Sequence, residues 1–165
     1  MSLIEIGNVL HDSDFGTALR ESVYVYPIVE GLHLVGLAFS VGLILFVDSR
    51  LVGLMFTQVP IQQVMRPLRP WLLGGFLVTF ATGISLFVAE AAKTVNLGVF
   101  QFKLVLIALA GVNALWFEFK WGRKVAEWQN LEVTPAVVRF AGWTSLTLWT
   151  LVVICGRMIP YLNYK

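Results

Sequence analysis

Two long stretches without a charged residue constrain this chain more than anything else in it: Trp71 to Ala89, nineteen residues, and Phe140 to Gly156, seventeen. A helix needs about 20 mostly apolar residues to cross the hydrocarbon of a bilayer, so both read as transmembrane spans. Two further runs complete the set. Leu104 to Phe117 is charge-free, and its apolar character reaches back to Leu97 across Lys103. Leu34 to Val47 is also charge-free, preceded by Glu30 and His33 and closed by Asp48 and Arg50. The pattern predicts four helices, at about 26–48, 70–90, 100–120 and 140–159. No period-two alternation suggests a membrane barrel, and no internal repeat divides the chain, so residues 1–165 read as one domain.

Composition agrees. The chain is 58% hydrophobic and 13% charged, whereas an ordinary soluble domain carries about a quarter charged residues. That excludes a soluble enzyme and makes the lipid bilayer the first partner. Cys155 is the single cysteine, which excludes an internal disulfide framework and a CxxC site. A formal charge of +2 gives no reason to expect nucleic acid. The first 25 residues carry Glu5, Asp12, Asp14 and Glu21 and lack a basic start, unlike a secretory signal. Leu3, Ile6, Val9 and Leu10 recur there at helical spacing, which predicts a short amphipathic helix on the membrane surface. The expected fold is an all-α membrane protein: a four-transmembrane-helix bundle with that interfacial segment at its N-terminus.

Basic residues set the orientation. The first and third connections hold Arg50, Arg66, Arg69, Lys120, Arg123, Lys124 and Arg139, seven in all. The other side has Arg20, Lys93 and Lys165, with Lys103 and Arg157 just inside helices. The bias puts the first group in the cytoplasm. Both termini of a multi-pass protein of the bacterial inner membrane then face the periplasm.

Ionisable groups inside hydrocarbon cost at least ~2.5 kcal/mol each on insertion scales, so each needs a reason. In this topology Glu30 and His33 of the first span, Glu90 at the end of the second, Lys103 of the third and Arg157 of the fourth all gather in the outer third. Glu30 and His33 are three apart and share a helix face. His33 lies about 10 Å deep, at ~1.5 Å of rise per residue from Pro27. Charges near the ends can snorkel and pair to hold helices in register, and Lys103, Glu90 and Arg157 suit that role. His33 is too short to snorkel far, and its neutral imidazole is a good ligand for iron or copper.

Other polar and small residues have plainer uses. Gly31, Gly36, Gly42, Gly74, Gly75 and Gly83, and the pair Ala110 and Ala114, permit close helix approach. Asn113 fits interhelical hydrogen bonding. Cys155 and Met158 are either apolar fillers or soft copper ligands. Asp48 to Arg50, with Arg66 and Arg69, reads as a cytoplasmic anchor, and Pro60, Pro67 and Pro70 as a stiff loop that starts the second span at Trp71.

The stretch Tyr26 to Ala38, with Glu30, His33 and Gly36, followed by Gly42 and by Val47 to Leu54, resembles a family of small bacterial four-helix membrane proteins of unknown function. Pro67 to Trp71, Thr82 with Gly83, Asn96 to Phe100 before Lys103, and Asn113 extend the likeness over nearly the whole chain. More loosely, a histidine with nearby glycines and an aromatic-x-x-Lys helix start resemble the membrane domain of copper-resistance D proteins, itself similar to b-type cytochromes. Di-haem proteins of that kind use four histidines. This chain has His33 in a span and His11 outside, so two haems within one chain are excluded. A single haem would take His33 with His11, His33 with Met158, or two His33 residues across a symmetric dimer.

Three roles follow. The leading expectation is a non-enzymatic membrane electron-transfer subunit that binds haem b near the periplasmic face through His33, with Glu30, Lys103 and Arg157 at the propionates. The second is a copper-handling or transport protein built on His33, Met158 and Cys155. The third is a scaffold or accessory subunit whose buried charges only fix packing. Each is compatible with a homo-oligomer or with a place in a larger membrane complex.

Overall fold

The computed structural model describes residues 2–128 and 134–162. Lys165, counted above on the outer side, lies outside the described residues. Eight α-helices are present, with no strand among the described residues: α1 (Leu3–His11), α2 (Asp14–Glu21), α3 (Val25–Val52), α4 (Ile61–Ala89), α5 (Ala91–Thr94), α6 (Gly98–Lys120), α7 (Val125–Trp128) and α8 (Ala136–Leu162). α3, α4, α6 and α8 are long and apolar enough to cross a membrane. Their apolar residues face all round rather than along one stripe, which suits helices whose solvent is lipid. Leu34, Val35, Leu77, Val112 and Phe140 are all more than half exposed, which in water would be a liability and in a bilayer is the lipid face.

The spans alternate in direction. α3 packs against both α4 and α8, and α8 against α6. α4 and α6 share no long seam but are tied at both ends. At the outer end, the one carrying α1, α2 and α5, Phe87 stacks on Phe100 with centroids 5.0 Å apart. At the inner end Arg69 bonds Glu118. Between α3, α6 and α8 lies a core of Val41, Leu106, Ala110, Trp149, Val152 and Cys155. A second cluster, Leu51, Ile61, Val125, Trp128 and Val138, closes the inner end. Asn113 crosses from α6 to α8, its Nδ2 donating to the Ala141 carbonyl at 3.0 Å, as expected of interhelical glue.

Three local features depart from the sequence reading. The interfacial segment forms two helices, not one. Ser2 and Glu5 make a capping box on α1, and Ser13 caps α2 by accepting from Gly16 N at 3.1 Å, so a second N-cap breaks the segment. α4 begins at Ile61 and runs through Pro67 and Pro70 rather than starting at Trp71. The prolines remove bonds to the carbonyls of Gln63 and Arg66, and both residues are exposed where water satisfies them. Asp48 and Arg50, read from the sequence as part of a cytoplasmic anchor with Arg66 and Arg69, are themselves buried, at 7% and 8% exposed. α3 continues past them to Gly53, whose φ of 85° ends the helix, with Leu54 N bonding back to Ser49 O.

Candidate functional site

The α3–α4 seam is a row of small residues opposed by polar ones. A Cβ at Gly83 would stand 2.9 Å from His33 Cε1, one at Gly36 2.9 Å from Thr79 Oγ1, and one at Gly75 2.5 Å from Ser40 Oγ. Each glycine thus receives a side chain from the facing helix. Ser40 and Thr79 donate within their own helices, to Gly36 O at 2.7 Å and Gly75 O at 2.9 Å, so their hydroxyls enter the seam already satisfied.

His33 sits at the outer end of this row. Its Nδ1 lies 3.0 Å from the Thr79 carbonyl oxygen and 3.1 Å from Thr82 Oγ1. A backbone carbonyl only accepts, so Nδ1 carries the proton. The Thr82 hydroxyl hydrogen is committed to Val78 O at 2.7 Å, which leaves that oxygen to accept as well. The neutral ring therefore keeps its lone pair on Nε2. Metal-bound histidines commonly have such a bond on the near nitrogen, a carbonyl that sets tautomer and ring plane; among the described residues Nε2 has no hydrogen-bond partner.

The other spans bring Lys103 and Cys155 to a similar depth. His33, Gly83, Lys103 and Cys155 each lie five to eight residues from the outer end of their helix, roughly 8–12 Å of rise. Lys103 is half-buried. A Cβ at Gly156 would stand 3.6 Å from Lys103 Nζ, ordinary contact distance, so the amine lies against α8 at this level. No carboxylate pairs with Lys103 among the described residues. Cys155 is buried within the core between α3, α6 and α8.

The remaining expected residues stand apart. Glu30 is exposed on the turn before His33. Arg157 is exposed and turns along its own helix, donating from Nη2 to the Tyr161 hydroxyl at 2.8 Å. Met158 is 46% exposed. His11 belongs to a separate knot at the outer surface, where Arg20 Nη1 reaches His11 Nδ1 at 3.1 Å and donates to the Ala89 carbonyl at 3.1 Å. Ala89 lies six residues beyond Gly83 on α4, about 9 Å of rise. Among the described residues, no three His, Cys, Asp or Glu side chains gather to hold a metal ion. Sequence reasoning missed Thr79, Thr82 and Gly83 as the seat of His33. The signal was there as Gly75, Thr79 and Gly83 at four-residue spacing.

These features define a multi-pass membrane protein with an immobilised histidine in the outer half of a four-helix bundle. The chain belongs to DUF6644, a family of unknown function, whose pattern matches residues 17–162. No curated protein and no solved structure matches it. The looser likeness to copper-resistance D proteins is not shown by these comparisons.

Proposed function

We propose that this protein is a membrane electron-transfer subunit that binds a b-type haem through His33. The observation that carries the reading is the hydrogen bond from His33 Nδ1 to the Thr79 carbonyl, which turns an otherwise costly intramembrane imidazole into a prepared ligand. A bound haem would take up and release one electron at its iron. The chain's own contribution is orientation and charge. Gly83 and Thr82 hold the imidazole plane, and the Lys103 ammonium, without a carboxylate partner among the described residues, suits a propionate carboxylate in a dry setting. The same reading places the protein in the bacterial inner membrane with the His33 end and both termini periplasmic, supported by the excess of Arg and Lys at the opposite end.

A structural role is the competing reading, because the same bond ties α3 to α4. A reduced-minus-oxidised spectrum of detergent-purified protein from haem-replete cells separates the two. The haem reading expects Soret and α bands that vanish in His33→Ala and persist in Met158→Leu. A wild-type protein without haem, which also takes up none on reconstitution, would leave only the structural role. Copper in stoichiometric amount without those bands would select the copper-handling alternative.

A further inference from the structure

At the far end of α3 from His33 stands a second ionisable side chain, and the electron-carrier role leaves it unused. Asp48 is 7% exposed, and its Oδ2 atom has no hydrogen-bond partner. The Ser145 hydroxyl on α8 is the side-chain group that reaches the carboxyl. Gly142, nearly one turn before Ser145, lets α8 close down on α3 at this level. A Cβ there would stand 2.9 Å from Val52 Cγ1, 3.2 Å from Leu51 Cβ and 3.5 Å from the Asp48 carbonyl oxygen. The carboxyl is shut between two helices with one hydroxyl for company.

An ionised carboxylate in such a place needs an opposite charge or several donors. The charges nearby are engaged or exposed. On α3, Arg50 donates from Nε to the Val59 carbonyl at 2.8 Å. On α8, Arg139 is exposed. On α4, Arg66 and Arg69 are exposed, and Arg69 pairs with Glu118 of α6. None forms an ion pair with Asp48 among the described residues. A second buried polar atom without a partner, Trp121 Nε1, belongs to the same inner cluster, which also takes in Val47 and Leu51 on either side of Asp48. Both polar atoms thus lie in the same packed inner region.

We propose that Asp48, supported by Ser145, is a proton-binding site: a neutral carboxylic acid whose proton exchanges with water at the inner end of the bundle. The neutral form carries no charge to solvate, so burial with few donors costs it far less than it costs a carboxylate. The proton leaves to water and the carboxylate so formed takes one back, so no other reactant is involved. The path is short. Asp48 is five residues from Gly53, about 7 Å of helix rise, and residues 53–58 are exposed. The site does not depend on whether His33 holds haem.

Infrared difference spectroscopy on the full chain in liposomes, with ¹³C-labelled aspartate and a change from H2O to D2O at neutral pH, tests this. The expected result is a protonated-carboxyl carbonyl band that shifts with both isotopes. It should be absent in Asp48→Asn and shifted but present in Ser145→Ala. Circular dichroism establishes that each variant keeps its helices, and should Asp48→Asn not fold, the isotope shifts in the wild type and the response of Ser145→Ala still decide. A wild-type spectrum with only ionised aspartate bands overturns the proposal. So does a band that never responds to D2O, which marks a sealed acid. A band abolished by replacing choline with sodium would show a cation site instead and overturns it equally.

Discussion

Gly83→Ala is the sharpest probe of the histidine's seat. The new methyl would stand 2.9 Å from His33 Cε1, against about 3.5 Å for carbon atoms in comfortable contact. A free side chain would swing aside cheaply. This one is pinned through Nδ1 at 3.0 and 3.1 Å, and a retreat of ~0.6 Å along that direction takes both contacts beyond hydrogen-bonding distance. Overpacking costs about 1–3 kcal/mol and a lost intramembrane hydrogen bond about 0.6 kcal/mol. Replacing glycine in a helix interior returns up to about 1 kcal/mol. The variant should therefore be about 1–2.5 kcal/mol less stable than the parent. Gly74→Ala is the internal control, since a Cβ there meets nothing within 4 Å and gains only the propensity term. The assay is reversible unfolding in mixed micelles, followed by far-ultraviolet circular dichroism. A gap of about 1.6–3.6 kcal/mol between the two variants is expected, the propensity gain being common to both. Equal stabilities would refute the pinned-ring argument, and with it the claim that His33 is held in one orientation.

Three further outcomes follow from single contacts. Asn113→Leu removes the bond to the Ala141 carbonyl and should cost about 0.6–1.7 kcal/mol in the same unfolding assay, with the spans retained. Arg20→Met frees α2 from the end of α4, so faster hydrogen exchange should appear across residues 3–21 and not in α6 or α8. Arg69→Ala should change stability by less than about 1 kcal/mol, because its side chain is 60% exposed and the pair with Glu118 is open to solvent.

The spans were legible because lipid imposes one demand on every residue they contain, and a charge-free run of nineteen residues such as Trp71 to Ala89 has no other ready use. Asn113 was legible for a related reason: a mid-span amide must find a partner on another helix. The helix ends were harder, as they depend on backbone groups that water also satisfies. Pro67 and Pro70 were therefore misread as a loop, and the burial of Asp48 and Arg50, which α3 carries into the protein before Gly53 stops it, was not foreseen. The glycines show the same limit. Gly36, Gly75 and Gly83 receive side chains from the facing helix, whereas Gly31, Gly42 and Gly74 meet nothing. Composition cannot separate the two sets, since the difference lies in which face α3 turns toward α4. The four-residue spacing of Gly75, Thr79 and Gly83 marks the α4 side of the His33 seat, but which α3 side chain it receives is set by a pairing of helices about fifty residues apart that no local pattern encodes.

That same face bears on how a single histidine per chain serves a haem. At 100° per residue, Gly31, Ala38 and Gly42 lie roughly 140–180° around α3 from His33. They form the open side of the helix, while the His33 ring is turned into its own chain against Gly83 and Thr79. A two-fold dimer packed through those small residues would set the two imidazoles on opposite outer sides of the helix pair, separated by about two helix diameters, ~20 Å. Paired His33 ligands on one iron are incompatible with that packing. Within the chain, Met158 is exposed at the outer end of α8 and His11 is held at Ala89 by Arg20, so neither faces Nε2 as the protein stands. The haem reading then expects one haem per chain, which His33 would hold without help from Met158 or His11. Met158→Leu and His11→Gln should leave the Soret band unchanged. Half a haem per chain would show that a second copy supplies the other ligand, and would require α3 to turn His33 away from Gly83.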